Sequence, residues 1–142
     1  MELQNSKYNS LINDVGKLLA ESKQQLSSHI NTVLVTTYWK IGKYIVDLIF
    51  ATRYPLRYSK QLDVMIDVGV SPRGSLALTQ CAQVHAWMKG NQEVSVQDVQ
   101  SVIHDVFRHR IIKSEHTRFS GIENDEIIDI IVKTVSLPES SK

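Results

Sequence analysis

An arginine in the first turn of a predicted helix is the residue of this sequence whose type and position best suit binding chemistry. Arg73 follows Ser71 and a proline, a pair typical of a helix start. A cation at that end opposes the helix dipole and costs about 0.3–1 kcal/mol. Free backbone N–H groups there attract anions, and a guanidinium can add bidentate hydrogen bonds to a phosphate. Two interpretations stay open: phosphate binding, or an ion pair with Asp63 or Asp67, which the residues alone favour.

Other catalytic and metal-binding patterns are missing from the sequence. No G-x-x-x-x-G-K-[ST] phosphate loop is present. The acids Asp125 and Glu126 precede an apolar run, whereas the acids of a Walker B motif follow one. Residues 69–74 are out of frame with the hydrolase pattern G-x-S-x-G. The histidines lack zinc-ligand spacing, so we predict no catalytic residue and no metal site. They are His29, His85, His104, His109 and His116.

The composition predicts a soluble cytoplasmic protein. The 142 residues are 42% hydrophobic and 22% charged, with a net charge of +1, so neither nucleic acid nor a membrane surface is an expected partner. The single cysteine, Cys81, cannot form an internal disulfide and fits a reducing compartment. The polar N-terminus does not have the pattern of a signal peptide, and no apolar run is long enough to span a bilayer.

The hydrophobic periodicity predicts an all-α fold, a small helical bundle preceded by a long helix or a helical hairpin. A stripe at three- and four-residue steps runs from Leu11 to Leu48, and Ser27-Ser28 is the one plausible break. Further helices are predicted over residues 61–68, 72–89 and 95–107, with a last one from Asn124 or Asp125. Residues 109–113 favour an extended conformation, but no strand pair is predicted. The helix over 72–89 is expected to bury Leu76, Ala77, Gln80, Cys81, Val84, Trp87 and Met88.

Residues 44–138 resemble the lid subdomain of MoxR-type AAA+ ATPases. The similarity rests on Tyr44–Arg53 and the proline that follows, on Gly69-Val-Ser-Pro-Arg73, on Val96-Gln-Asp-Val99, on His104-Asp-Val-Phe-Arg-His-Arg110, and on the closing helix. In that family the arginine of the S-P-R signature is the sensor 2 residue that reaches the γ-phosphate of ATP. The resemblance therefore assigns nucleotide sensing to Arg73, with Ser71 and Gly69, and reverses the preference for an ion pair.

The resemblance also implies a setting for this lid. Arg108, His109 and Arg110 would have a structural or inter-subunit role. Partners would be the α/β core of an AAA+ ATPase, neighbouring subunits of a ring and von Willebrand A domain proteins. ATP and Mg²⁺ would bind only in the context of a complete core. Since the chain has no phosphate loop, we expect no ATP hydrolysis by the chain alone and no tightly bound cofactor.

Residues 1–43 resemble a different family, the N-terminal helices of YhcG-type PD-(D/E)xK nucleases. The similarity rests on Lys7-Tyr-Asn-Ser-Leu-Ile-Asn-Asp, His29-Ile-Asn-Thr and Tyr38-Trp-Lys-Ile-Gly. Two domains are therefore predicted, residues 1–43 and 44–142. Tyr38 and Trp39 are expected at a core or an interface.

Three hypotheses for the function follow from these segments. The first is a sensor 2 lid that contributes to ATP-coupled conformational change and subunit assembly in a chaperone-like complex. The second is a helical protein- or DNA-interaction module, although a net charge of +2 over residues 1–43 is small for DNA. The third is self-association of the Leu11–Leu48 stripe on a second copy of the chain.

Overall fold

The computed structural model describes residues 2–138, with side chains for residues 13–28, 32 and 34–138. The chain divides into two compact units, residues 1–37 and 38–142. The all-α prediction is confirmed, because nearly every described element is a helix. The elements are α1 (Glu2–Arg53), a 3₁₀ turn (Pro55–Arg57), α2 (Lys60–Met65), β1 (Ile66–Val68), α3 (Pro72–Met88), α4 (Val96–Phe107), β2 (Ile112–Lys113), α5 (Glu115–Phe119) and α6 (Asn124–Thr134).

The first helix passes through the predicted break without interruption. Ser28 Oγ donates to the carbonyl oxygen of Gln25 at 3.1 Å, so this hydroxyl bonds within the helix instead of capping a new one. Of the two forms that the sequence allowed, the long helix is the one observed. Within the unit of residues 1–37, the apolar side chains of Val15, Leu18, Leu19 and Leu26 are exposed. None of the described helices combines the length and hydropathy of a membrane span.

The hydrophobic core belongs to the second unit. It collects buried side chains from the end of α1 and from α2, α3, α4 and α6. Tyr44 of α1 is buried, and its hydroxyl oxygen accepts a hydrogen bond from Gln100 Nε2 of α4 at 3.1 Å. Helix α4 contributes Val99, Ile103, Val106 and Phe107 to this core, and its Val102 is partly buried. The fully buried large residues include Leu48, Leu62, Leu78, Val99, Ile103, Phe107, Ile127, Ile128 and Ile131.

A short antiparallel ladder contradicts the prediction that no strands pair. Strand β1 pairs with β2, with Ile66 opposite Lys113 and Val68 opposite Ile112. Ser114 extends the contact, since its N–H donates to Met65 O at 2.9 Å and its hydroxyl to Val64 O at 2.7 Å. The helix predicted over residues 61–68 therefore ends at Met65. Strands of two and three residues are too short for their alternation to be recognised in a sequence.

Helix α3 begins and ends as predicted, but it buries the opposite face. Its buried residues are Gly74, Leu78, Ala82 and Ala86, which recur at four-residue steps. Leu76, Trp87 and Met88, which were expected inside, are 65%, 77% and 76% exposed. Of the other four residues expected inside, Gln80, Cys81 and Val84 are exposed and Ala77 is partly buried. The prediction failed because it weighted large apolar side chains, whereas small residues let α3 approach α4 closely.

Candidate functional site

The start of α3 is attached to the end of α1 through a hydroxyl and a glycine. Thr52 is buried, and its Oγ1 donates to Ile49 O at 2.7 Å and accepts from the N–H of Val70 at 2.9 Å. A Cβ on Gly69 would overlap the Thr52 carbonyl group and lie 2.8 Å from Arg53 N. Only glycine therefore lets the two backbones meet here. The segment before α3 is fixed by this contact.

The first turn of α3 presents positive charge without an acidic neighbour. Ser71 occupies the N-cap in an extended conformation, but its side chain makes no capping hydrogen bond. Its carbonyl oxygen accepts from Gly74 N at 2.8 Å. No acidic residue lies in this turn, so the helix dipole and Arg73 add with the same sign. This end of the helix is an electropositive site suited to an anion.

Arg73 is exposed, and the ion pairs that the sequence allowed for it are not formed. Among the described residues, Arg108 is the arginine whose side chain forms ion pairs. Neither Asp63 nor Asp67 is paired with Arg73 in this part of the chain. An unpaired guanidinium beside a helix N-terminus costs electrostatic energy in this state. The geometry therefore leaves the group available for an external phosphate or carboxylate.

Arg110 lies against the same helix start. A Cβ on Gly74 would overlap the Val70 side chain and would lie 3.6 Å from Arg110 Cδ. The Arg110 guanidinium donates from Nη1 to Val106 O and to His109 Nε2, each at 2.6 Å. The sequence predicted a structural or inter-subunit role for Arg108, His109 and Arg110. Of this set, Arg110 lies against α3, and His109 is exposed beside it.

Arg108, the third residue of that set, joins the end of α4 to α6. Its Nε and Nη2 donate to the two carboxylate oxygens of Asp125 at 2.7 and 3.1 Å, and its Nη1 donates to Asp105 at 3.2 Å. The hydrogen bond and the charge of Arg108 hold the pKa of the Asp125 carboxyl below its ordinary value. Asn124 Nδ2 donates to Arg108 O at 2.6 Å, so backbone and side chain fix the same junction. This geometry favours the structural role for Arg108.

A buried carboxylate organises the contact between α3 and α4. From the sequence, only a helix-capping role was predicted for it. Asp98 completes a capping box with Ser95, and Asp98 Oδ1 lies 2.8 Å from His85 Nδ1. Burial alone would raise the pKa of Asp98, but hydrogen bonds from Ser95 and His85 outweigh it and lower the pKa. The serine–aspartate spacing could predict the cap. Nothing in the sequence pairs His85 with a residue 13 positions away.

Tyr38 and Trp39 line two separate surface pockets. Trp39 borders a cavity of about 410 Å³ with Asp47 and the segment 136–138, and Lys43 Nζ lies 5.8 Å from the Trp39 ring centroid. Tyr38 borders a cavity of about 490 Å³ that also includes Trp87. Both aromatic side chains are exposed, so neither is a core residue within the described chain.

Comparison with known families identifies this helical unit. The AAA lid domain family matches residues 61–131, half of the 142-residue chain. The chain belongs to the AAA lid domain family. The matched stretch runs from α2 into α6 and so contains the α3 start and the 108–110 segment. The resemblance to a lid that the sequence indicated is thereby confirmed.

MoxR proteins are among the relatives of this lid. Chaperone MoxR1 of Mycobacterium tuberculosis is 34% identical over 97 residues, which are 68% of this chain and 26% of MoxR1. Protein MoxR of Paracoccus denitrificans is 38% identical over 79 residues, which are 52% of this chain and 23% of that protein. This chain therefore spans about a quarter of the length of these relatives.

A solved structure shares the fold. The crystal structure of a candidate ATPase from Cytophaga hutchinsonii matches 70% of this chain and 31% of its own chain, with 31% identity and a TM-score of 0.68. Both the sequence and the structural matches therefore concern one part of larger proteins. The resemblance of residues 1–43 to a nuclease family stays a prediction.

Proposed function

We propose that this chain is the nucleotide-responsive lid of a MoxR-type AAA+ ATPase and that Arg73 is its phosphate contact. The observation that carries the proposal is the α3 start, where an unpaired arginine stands at a fixed, electropositive helix end. Membership of the AAA lid domain family and sequence identity with MoxR proteins support the assignment to this type of ATPase. Arg73 would contribute a charge-assisted hydrogen bond to the terminal phosphate of ATP.

The surrounding residues have supporting parts in this proposal. Gly69 and Thr52 hold the start of α3 at a fixed position, so a phosphate contact at Arg73 would move the helical unit as a body. ATP and Mg²⁺ would be held by an α/β core, and the lid itself would neither bind them tightly nor hydrolyse ATP. Neighbouring subunits of a ring would contact the lid, and its clients would include von Willebrand A domain proteins. We propose a cytoplasmic location.

A nuclear magnetic resonance titration tests the phosphate contact in the chain itself. ATPγS with Mg²⁺ is added to millimolar concentration while amide shifts are followed over the whole chain. We expect weak binding, with shifts concentrated between Gly69 and Ser75, because this end carries Arg73 and no acid. Arg73→Ala should abolish these shifts.

The matched control is Arg118→Ala, which removes an exposed arginine of α5 whose Nε donates to Lys113 O at 3.1 Å. It should leave the ATPγS shifts unchanged. Equal shifts in wild type and Arg73→Ala, or no shifts at the α3 start, would contradict the assignment of Arg73. ATP turnover by the purified chain would contradict the proposal that it is a lid without its own hydrolytic site.

A second function for the N-terminal unit is favoured by its exposed apolar side chains. Val15, Leu18, Leu19 and Leu26 give this helix an apolar stripe typical of protein partners. We propose helix-mediated association there, and not DNA binding. Sedimentation of the full chain should show self-association that Leu19→Lys weakens. A monomer that binds DNA with a steep salt dependence would contradict this second proposal.

A further inference from the structure

The cavity beside Tyr38 combines two exposed aromatic side chains with a neutral polar lining. Tyr38 of α1 and Trp87 of α3 are 48% and 77% exposed, and both line the cavity of about 490 Å³. The rest of its lining comes from the end of α3 and the turn that follows: Gln83, Ala86, Gly90, Asn91, Gln92 and Val94. Among the described residues, none of the side chains in this lining carries a charge. A ligand that complements the cavity is therefore uncharged where it makes contact.

The turn that forms one wall of this cavity is fixed at both ends. Gly90 ends α3 with a φ of 77°, and the N–H of Asn91 donates to Ala86 O at 3.0 Å. At the far end of the turn, Ser95 begins the capping box of α4. The Asp98 carboxylate of that box lies 2.8 Å from a histidine nitrogen of α3. Because the wall is held in place before a ligand arrives, binding does not have to pay for ordering this turn.

Five polar side chains of this cavity do not hold the fold together. In the described part of the chain, no hydrogen bond to protein is made by the Tyr38 hydroxyl, the Trp87 indole N–H or the amides of Gln83, Asn91 and Gln92. Each of these groups can donate a hydrogen bond, and the indole N–H can do nothing else. The lining is therefore suited to a ligand that offers several acceptors.

A polyproline II segment is the ligand whose chemistry matches this lining. Its backbone has no internal hydrogen bonds, so its carbonyl groups point outward as acceptors. Aromatic-lined grooves bind proline-rich peptides, which lose little conformational entropy because their polyproline II helix is already formed. An α-helix, in contrast, satisfies its interior carbonyl groups within its own backbone. A phosphate or a carboxylate would find no cation in the described lining.

We propose that the cavity lined by Tyr38 and Trp87 binds an uncharged proline-rich peptide segment in the polyproline II conformation. The two aromatic rings contact proline rings, while the indole N–H and the amide groups donate to backbone carbonyl oxygens. Of the two roles that the sequence allowed for Tyr38, this proposal assigns the interface. The site lies away from the start of α3 and does not rest on the proposed lid function.

Titration of decaproline with an acetylated N-terminus and an amidated C-terminus into the full chain tests the proposal by nuclear magnetic resonance. We expect saturable shifts of the Trp87 indole N–H signal and of the backbone amides of Gly90 and Asn91. Affinity should fall about 10-fold or more in Trp87→Ala and in Tyr38→Ala, because tryptophan and tyrosine are typical interface hot spots. Both side chains are exposed, so each variant should remain folded, which circular dichroism checks.

The matched control is Trp39→Ala, because Trp39 is 66% exposed and lines a different cavity. This variant should bind decaproline as wild type does, and an equal loss of affinity would overturn the assignment to the Tyr38 cavity. A capped glycine–serine peptide of the same length should bind more weakly than decaproline. Equal affinity for that peptide, tighter binding of the neutral disaccharide maltose, or no shifts at millimolar decaproline would each overturn the proposal.

Discussion

At the scale of single residues, Gly69 permits the close backbone contact between the segment before α3 and the end of α1. A methyl group there would overlap the Thr52 carbonyl, so we expect Gly69→Ala to lower the free energy of unfolding by about 1–3 kcal/mol. The matched control is Gly42→Ala, since nothing lies within 4 Å of a Cβ at that helical position. That change should raise stability by about 0.5–1 kcal/mol. Urea denaturation measures both, and equal effects would contradict the close backbone contact.

The Arg108–Asp125 pair predicts a particular response to acid. The pKa of Asp125 is lowered in the folded chain, so the pair stabilises the fold above the unfolded-state value of about 3.9. That contribution is lost as the pH falls through the lowered folded-state pKa. Carboxyl titration by nuclear magnetic resonance should show the low pKa and its return to the ordinary range in Arg108→Ala. An unchanged pKa in the variant would contradict the observed pairing.

Residues whose role depends on neighbours in the sequence were easier to predict than residues whose role depends on contacts distant in the sequence. Ser95 and Asp98 stand three positions apart, so their capping box could be recognised. Gly69 was assigned to the site by resemblance, but its close contact with Thr52 spans 17 positions and has no local signature.

At the scale of elements, α3 shows why periodicity alone did not identify the buried face. Leu76 and Leu78 are two positions apart, yet Leu78 is buried and Leu76 is 65% exposed. We expect Leu78→Ala to cost about 2–5 kcal/mol of unfolding free energy. Leu76→Ala should stay within about 0.5 kcal/mol of wild type. Thermal and urea unfolding measure the stability of both variants. A larger loss of unfolding free energy for Leu76→Ala than for Leu78→Ala would indicate that the face predicted from the sequence is the buried one.

The helix limits were easier to predict than the faces. Proline at the start of α3 and Gly90 at its end are strong local signals, and Gly90 has a φ of 77°. Strands β1 and β2 carry no such signal, because their pairing joins residues 44 to 47 positions apart. Small residues at 74, 82 and 86 also left the inner face of α3 without an apolar pattern.

At the scale of the whole molecule, the proposed function requires this lid to act together with an ATPase core. The chain covers 26% of MoxR1 and 31% of the Cytophaga hutchinsonii candidate ATPase. The TM-score of 0.68 between this chain and the latter makes it a suitable host for an exchange of the matched segment. The S-P-R signature and the 104–110 stretch made the family recognisable from sequence, because these motifs stand in the same order in one chain.

A lid exchange would test whether this chain acts as the lid of an ATPase. The matched segment of the C. hutchinsonii protein is replaced by residues 44–138 of this chain, and ATP hydrolysis is compared with the parent protein and with its lidless core. We expect the chimera to hydrolyse ATP faster than the lidless core. Arg73→Ala in the chimera should lower the rate about 10-fold or more, while Arg118→Ala should not. A folded chimera no faster than the lidless core, or one whose rate does not depend on Arg73, would contradict the proposed lid function.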